Sequence, residues 1–215
     1  MSNARNLANR LGTNTLIQAS NINLGDTFAF TGTVSGTDKG LVPLTRAQSD
    51  TNISSGVLDL DNLSTDYDRF YISFMFHPQT DNAQLRFRML DSSGTVISDS
   101  DGYTYYHDAE GSSINSNSAN HIKISNDGMG NADHEGIRGY LELNGRNYAD
   151  STAHATPAAF GQQWMSNTNS NGNGGSFFGM LRATQSQAIR GVRFYYHTGG
   201  IASHDVMVYG LTTPS

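Results

Sequence analysis

The last two dozen residues, Ala188 to Leu211, read A-I-R-G-V-R-F-Y-Y-H-T-G-G-I-A-S-H-D-V-M-V-Y-G-L. Few folds accommodate such a segment. Ile189, Val192, Phe194 and Tyr196 mark one strand; Val206, Val208 and Leu211 mark a second. Gly199 and Gly200 stand between them, where a tight turn calls for positive φ. Two strands joined by a glycine turn are therefore expected. The residue types are those of packing and turning, so the segment speaks to fold rather than to mechanism.

The same pattern recurs upstream. Leu85, Phe87 and Met89 alternate with Arg86 and Arg88, as a strand buried on one face requires. Ile122 alternates with Ile124, and Leu141 and Leu143 alternate with Tyr140 and Glu142. The run R-F-Y-I-S-F-M-F-H at 69–77 is almost continuously apolar or aromatic, which predicts a central strand buried on both sides, or one against a partner chain. Strands are expected at 53–60, 69–77, 84–90, 102–107, 120–125, 137–143, 177–183, 189–197 and 205–211. Apolar residues make up 36% of the chain and aromatics 10%, with 23 glycines, which suits thin sheet layers with wide polar loops. The predicted fold is all-β: an antiparallel β-sandwich, jelly-roll-like, with a short N-terminal helix and an extended arm.

The helix is expected over 2–11. Ser2 or Asn3 supplies the cap, Leu7 and Leu11 share a face, and Gly12 ends it. A helix this short needs a partner surface, either its own domain or a neighbouring subunit. Residues 13–50 are polar with scattered apolar positions; Phe28 and Phe30 alternate, so one or two short strands are expected in this arm. The domain division is thus 1–50, helix and arm, and 51–215, sandwich. Two low-complexity stretches, 111–119 and 166–176, read as loops.

The chain of 215 residues carries a net charge of −6 and only two lysines, Lys39 and Lys123. No basic stripe is present, so nucleic acid is not an expected partner. There is no cysteine, which removes disulfides and thiolate metal sites. No apolar run approaches the roughly 20 residues that span a bilayer, and no apolar signal-peptide core opens the chain, so neither membrane insertion nor export is expected.

Three acidic stretches invite a metal reading. Asp59, Asp61, Asp66 and Asp68 lack the EF-hand spacing and read as a structural corner. Asp99, Asp101 and Gly102 read as a turn. Asp127, Asp133, His134 and Glu135 form the most metal-like loop, but His134 and Glu135 are adjacent and would point apart on a strand. A surface loop is expected, with no metal and no cofactor. No G-x-S-x-G elbow, P-loop or dinucleotide fingerprint occurs. Tyr103, Tyr105 and Tyr106 read first as core packing or subunit contact, and Trp164 as core or interface; the same four are the candidate contacts to a receptor glycan or to another subunit.

The ending resembles a recurrent closing hairpin in structural proteins of tailed bacteriophages, marine ones especially. There a strand of the type a-I-x-G-I-R-F-Y leads into S-G-N-I-A-S-G and a strand ending Y-G-L. Ile189, Gly191, Val192, Arg193, Phe194, Tyr195, Gly199, Ile201, Ala202, Ser203, Tyr209, Gly210 and Leu211 match; Gly200 and His204 depart from the usual Asn and Gly. The opening S-N-A-R-N-L-A is similar to the start of such proteins. The stretch D-L-D-N-L-S-T-D-Y-D resembles their L-D-L-x-x-L-S-x-x-Y-D-x-Y corner, where Leu60, Leu63 and Tyr67 would be packing positions.

The resemblance implies a non-enzymatic virion protein on the particle exterior, tail- or fibre-associated or a capsid decoration. It would be assembled in the host cytoplasm and anchored to other virion proteins through Leu7 and Leu11. Self-association is expected, a trimer being one form, and a host surface glycan is a candidate ligand. The competing class is a carbohydrate-binding module of a secreted or host-adsorption protein. A polysaccharide-degrading enzyme is a third class, for which the sequence singles out no carboxylate pair.

Overall fold

The computed structural model describes residues 40–212 other than 68, 110–111, 126–127, 146–155, 167–171 and 186. The chain divides into two units, Met1–Gly36 and Thr37–Ser215. The expected helix with Leu7 and Leu11, and the arm as far as residue 39, lie outside the described residues.

The described strands are β1 (Gly40–Ser49), β2 (Val57–Leu60), β3 (Arg69–Pro78), β4 (Leu85–Asp91), β5 (Tyr103–Ala109), β6 (Ser112–Ala119), β7 (Ile122–Lys123), β8 (Gly136–Asn144), β9 (Ala158–Ser166), β10 (Gly172–Leu181), β11 (Ile189–Tyr196) and β12 (Ile201–Thr212). They form an eight-stranded sheet, β1-β12-β3-β8-β9-β10-β5-β6, and a four-stranded sheet, β2-β11-β4-β7. Every ladder between these strands is antiparallel.

The pairing is nested. β1 pairs with β12, β2 with β11, β3 with β8 and β4 with β7. β12 also pairs with β3, and β11 with β4, which completes each sheet. This is the wrapping of a jelly roll, with two additions. The β5–β6 hairpin sits between β4 and β7 in the chain, and the β9–β10 hairpin between β8 and β11. Both are added to the larger sheet, which grows to twice the width of the smaller one. The all-β sandwich expected from alternation is therefore present.

The core lies between the sheets. Leu85, Phe87 and Met89 point inward with no exposed surface, as alternation with Arg86 and Arg88 requires. Phe194 of β11 joins them and meets Phe76 and Phe74 of the opposite sheet at 5.1 and 5.9 Å between ring centres. Leu60 and Leu63 are buried at the corner after β2. The Tyr67 ring lies over Gly210, where a Cβ would come within 2.6 Å of it.

Four sequence expectations change. First, β11 and β12 do not pair with each other: they belong to different sheets, and Gly199 (φ 67°) turns the chain across the sandwich. Apolar side chains on both strands face the core from opposite sides, which a sequence pattern cannot distinguish from a hairpin. Second, the chain itself covers β3 on one side only, which removes the first of the two readings of this strand: Tyr71 and Met75 face outward and Met75 is 52% exposed. Third, residues 40–49, read as arm, form β1 at the edge of the larger sheet. Pro43 is tolerated there beside a bulge, because an edge strand can spare a backbone donor. Fourth, the polar stretches read as loops supply all of β6 and the start of β10.

Candidate functional site

The outer face of the larger sheet is where the described residues depart most from ordinary surface chemistry. In β9, the sequence A-A-F-G-Q-Q-W-M-S, Ala159, Gly161, Gln163 and Met165 face inward, while Phe160, Gln162 and Trp164 face outward. The usual polarity is inverted. The inward glycine has a packing reason: a Cβ on Gly161 would meet the Phe177 ring at 2.8 Å. The outward rings stay exposed, Phe160 at 41% and Trp164 at 57%.

Register joins these rings into a row. Phe160 of β9 is the partner of Phe178 of β10, which is the partner of Tyr106 of β5. All three are exposed, Phe160 at 41%. Cross-strand neighbours on one face lie about 4.5–5.5 Å apart at Cβ, so the three form a continuous apolar strip. On the other side of Glu142, the same row continues to Tyr71 and Tyr209. Tyr71 stacks on Tyr140 at 5.4 Å, and its hydroxyl is pushed up, chiefly by burial. Arg69 donates to Asn144 Oδ1 at 2.8 Å and pairs with Glu142.

At one end of this face a cleft of about 860 Å3 opens. Its floor is another row in register: Gln48, Asp205, Met75, Arg138 and Trp164. Asp133 and His134, in the segment before β8, stand along its wall. That segment is tied down. His77 Nε2 donates to the Ala132 carbonyl at 3.0 Å, and the Ala132 N–H donates to Glu135 at 2.7 Å. Asn131 Nδ2 donates to the Gln79 carbonyl at 3.1 Å. Arg46 donates two bonds to Asp205, at 2.9 and 2.7 Å, and holds that carboxyl below its usual range. Burial lowers the neighbouring His204, against the opposing pull of Asp205.

The sequence candidates separate cleanly. Tyr106 and Trp164 stand on the outer face. Tyr103 and Tyr105 are buried in the core, so no external ligand reaches them. The Tyr103 hydroxyl accepts from the Met89 N–H at 2.8 Å and donates to the Ile97 carbonyl at 2.9 Å. Tyr105 stacks on His121 at 5.9 Å. Met75, Arg138, Phe160 and Phe178 are contact candidates that pattern reasoning passed over. The inverted alternation of β9 was the available signal.

The acidic candidates are engaged elsewhere. Asp59 accepts two bonds from Arg193, both at 2.6 Å, and Asp61 pairs with Arg190 at 2.7 Å. Asp101 pairs with Arg182 at 3.3 Å, and the Gly102 N–H closes the turn onto the Asp99 carbonyl. Asp68 and Asp127 lie outside the described residues. Among the described residues, no group of three or more His, Cys, Asp or Glu has the geometry to hold a metal ion.

No protein-family model matches this sequence, and neither a curated protein nor a solved structure does.

Proposed function

We propose that this chain is a non-enzymatic structural protein on the exterior of a tailed-phage particle, associated with its tail or fibres or decorating its capsid. The observation that carries this reading is the exposed apolar strip Phe160–Phe178–Tyr106. A continuous exposed apolar strip is best accounted for by a protein neighbour that covers it. In this reading that neighbour is a second copy or another virion protein, and the N-terminal segment with Leu7 and Leu11 supplies the anchor.

Two further points support the proposal. The resemblance to phage structural proteins runs over roughly 53–107 and 177–211 and the first eight residues, and the order of its motifs along the chain supports the reading more than any one of them. The nested strand pairing is of the kind used by viral capsid and lectin domains, an argument from fold-level analogy. A specific observation favours the sugar-binding module as a second reading: Trp164 is 57% exposed within a polar cleft.

The test is co-sedimentation of the chain with particles from a lysate that contains it, followed by immunogold labelling. The proposal expects the chain at particle density, with gold on the outside of intact virions. A chain that remains at the top of the gradient, absent from every particle fraction, overturns it.

A further inference from the structure

We propose that the cleft at Trp164 binds a neutral glycan, with one pyranose ring stacked on the indole and its hydroxyls held by the flanking side chains. Gly174 is where the site begins. Gly174 is the cross-strand partner of Trp164, and a Cβ there would come 2.9 and 3.0 Å from Trp164 Cε3 and Cζ3. The indole therefore lies across the β10 backbone, over the one residue type that admits it. The residue lines the cleft and is 57% exposed. A flat, anchored ring with one open face offers its π-electrons to the polarised C–H groups of a sugar.

The surround is polar in the way a sugar needs. Arg138 neighbours Trp164 in register, and Gln48 lies farther along the same row. Asp133 and His134 line the wall. Sugar hydroxyls both donate and accept, so a mixture of acids, amide and guanidinium serves them. The sign of the charge narrows the class. With Asp205 paired to Arg46, Asp50, Asp133 and Glu135 still line the cleft against Arg138, which disfavours an anionic sugar. The cleft volume of about 860 Å3 falls in the range of small-ligand sites. The bonds that fix residues 131–135 set this wall before any ligand arrives, which lowers the ordering cost of binding.

This inference deepens the proposed exterior role, since such a protein with a sugar site is an attachment component. The two fail separately, because sugar binding is read on the isolated full chain and particle association without sugar.

Trp164 is the sole tryptophan, so intrinsic fluorescence reports on the site alone. The full chain is titrated with cellohexaose, laminarihexaose, mannohexaose and galactohexaose, each to about 10 mM, with calorimetry in parallel. The expected result is a saturable change in emission with at least one of them. Arg138→Ala weakens that binding about tenfold. Trp164→Ala abolishes binding by calorimetry, and Trp164→Phe retains part of it. No saturable response to any of the four sugars overturns the proposal, as does binding that survives Trp164→Ala.

Discussion

Replacing Tyr103 with Phe removes a single oxygen atom from the core, and the structure says what that atom is worth. The hydroxyl bridges β4 and the segment that follows it, accepting from Met89 N–H at 2.8 Å and donating to Ile97 C=O at 2.9 Å. Met89 and Ile97 are buried, so water does not readily take its place. The ring keeps its packing, which isolates the polar effect from any cavity. Each buried backbone group left without this partner costs about 1–3 kcal/mol. The Ile97 N–H bond to the Met89 carbonyl, 3.0 Å, survives and limits the loss. Tyr103→Phe should therefore destabilise by about 2–4 kcal/mol in total, which lowers Tm by about 4–16 °C for a domain of this size. Urea unfolding measures it: the midpoint falls and the slope is unchanged. A loss under about 0.5 kcal/mol would mean that the hydroxyl is not a buried bridge. Loss of particle or sugar binding without loss of stability would return Tyr103 to the surface.

Phe194→Ala empties the centre of a ring cluster, with Phe76 at 5.1 Å, Phe87 at 5.8 Å and Phe74 at 5.9 Å. It should cost about 3–5 kcal/mol by urea unfolding; a cost near 1 kcal/mol would place the inter-sheet core elsewhere. Burial first, then Arg86, Arg88 and Lys123, holds the His121 imidazole down to about 3 from its ordinary 6.5. The folded state thus resists a proton that the unfolded chain accepts. Stability present at neutral pH is lost as pH falls from about 6.5 towards about 3, by at most about 1.4 kcal/mol per pH unit from this group. His121→Gln should flatten that slope, and an unchanged pH profile would contradict the assignment. A chain beginning at Thr37 retains β1 to β12 and should fold yet fail to join particles, as should Leu7→Asp combined with Leu11→Asp. Normal assembly by either variant would remove the anchor. Calcium should leave Tm unchanged, because Asp59 and Asp61 are committed to Arg193 and Arg190; a rise of several degrees would show a cation site.

The parts of the fold legible in the sequence are those where alternation meets burial. Leu85, Phe87 and Met89 announce β4 because arginines separate them, and Leu141 and Leu143 announce β8 in the same way. The layer to which each strand belongs was not legible. β11 and β12 carry the pattern of a hairpin, yet consecutive jelly-roll strands alternate between sheets. That choice is made by long-range packing, such as Phe194 against Phe74 and Phe76. β9 escaped because Phe160 and Trp164 face out while Gly161 and Gln163 face in. β6, S-S-I-N-S-N-S-A, escaped because an edge strand on a wide sheet needs few apolar contacts and gains its order from pairing with β5. Two of the four residues singled out in the sequence, Tyr106 and Trp164, belong to the outer face. Tyr103 and Tyr105 share with Tyr106 the same run of sequence, and only the strand's register sends them inward. Failures of local pattern gather at functional faces more often than elsewhere, and β9 is such a failure.

Hydroxyl-radical footprinting of the chain, free and on particles, tests the central claim most directly, because it reads Phe, Tyr, Met and Trp side chains individually. Phe160, Phe178 and Tyr106 should react readily in the free protein and be protected on the particle. Trp164 should stay reactive in both states until sugar is added. A strip that reacts equally in both states, with protection moved to Tyr195 and its neighbours on the smaller sheet, would contradict the assignment of the larger sheet's outer face as the contact surface.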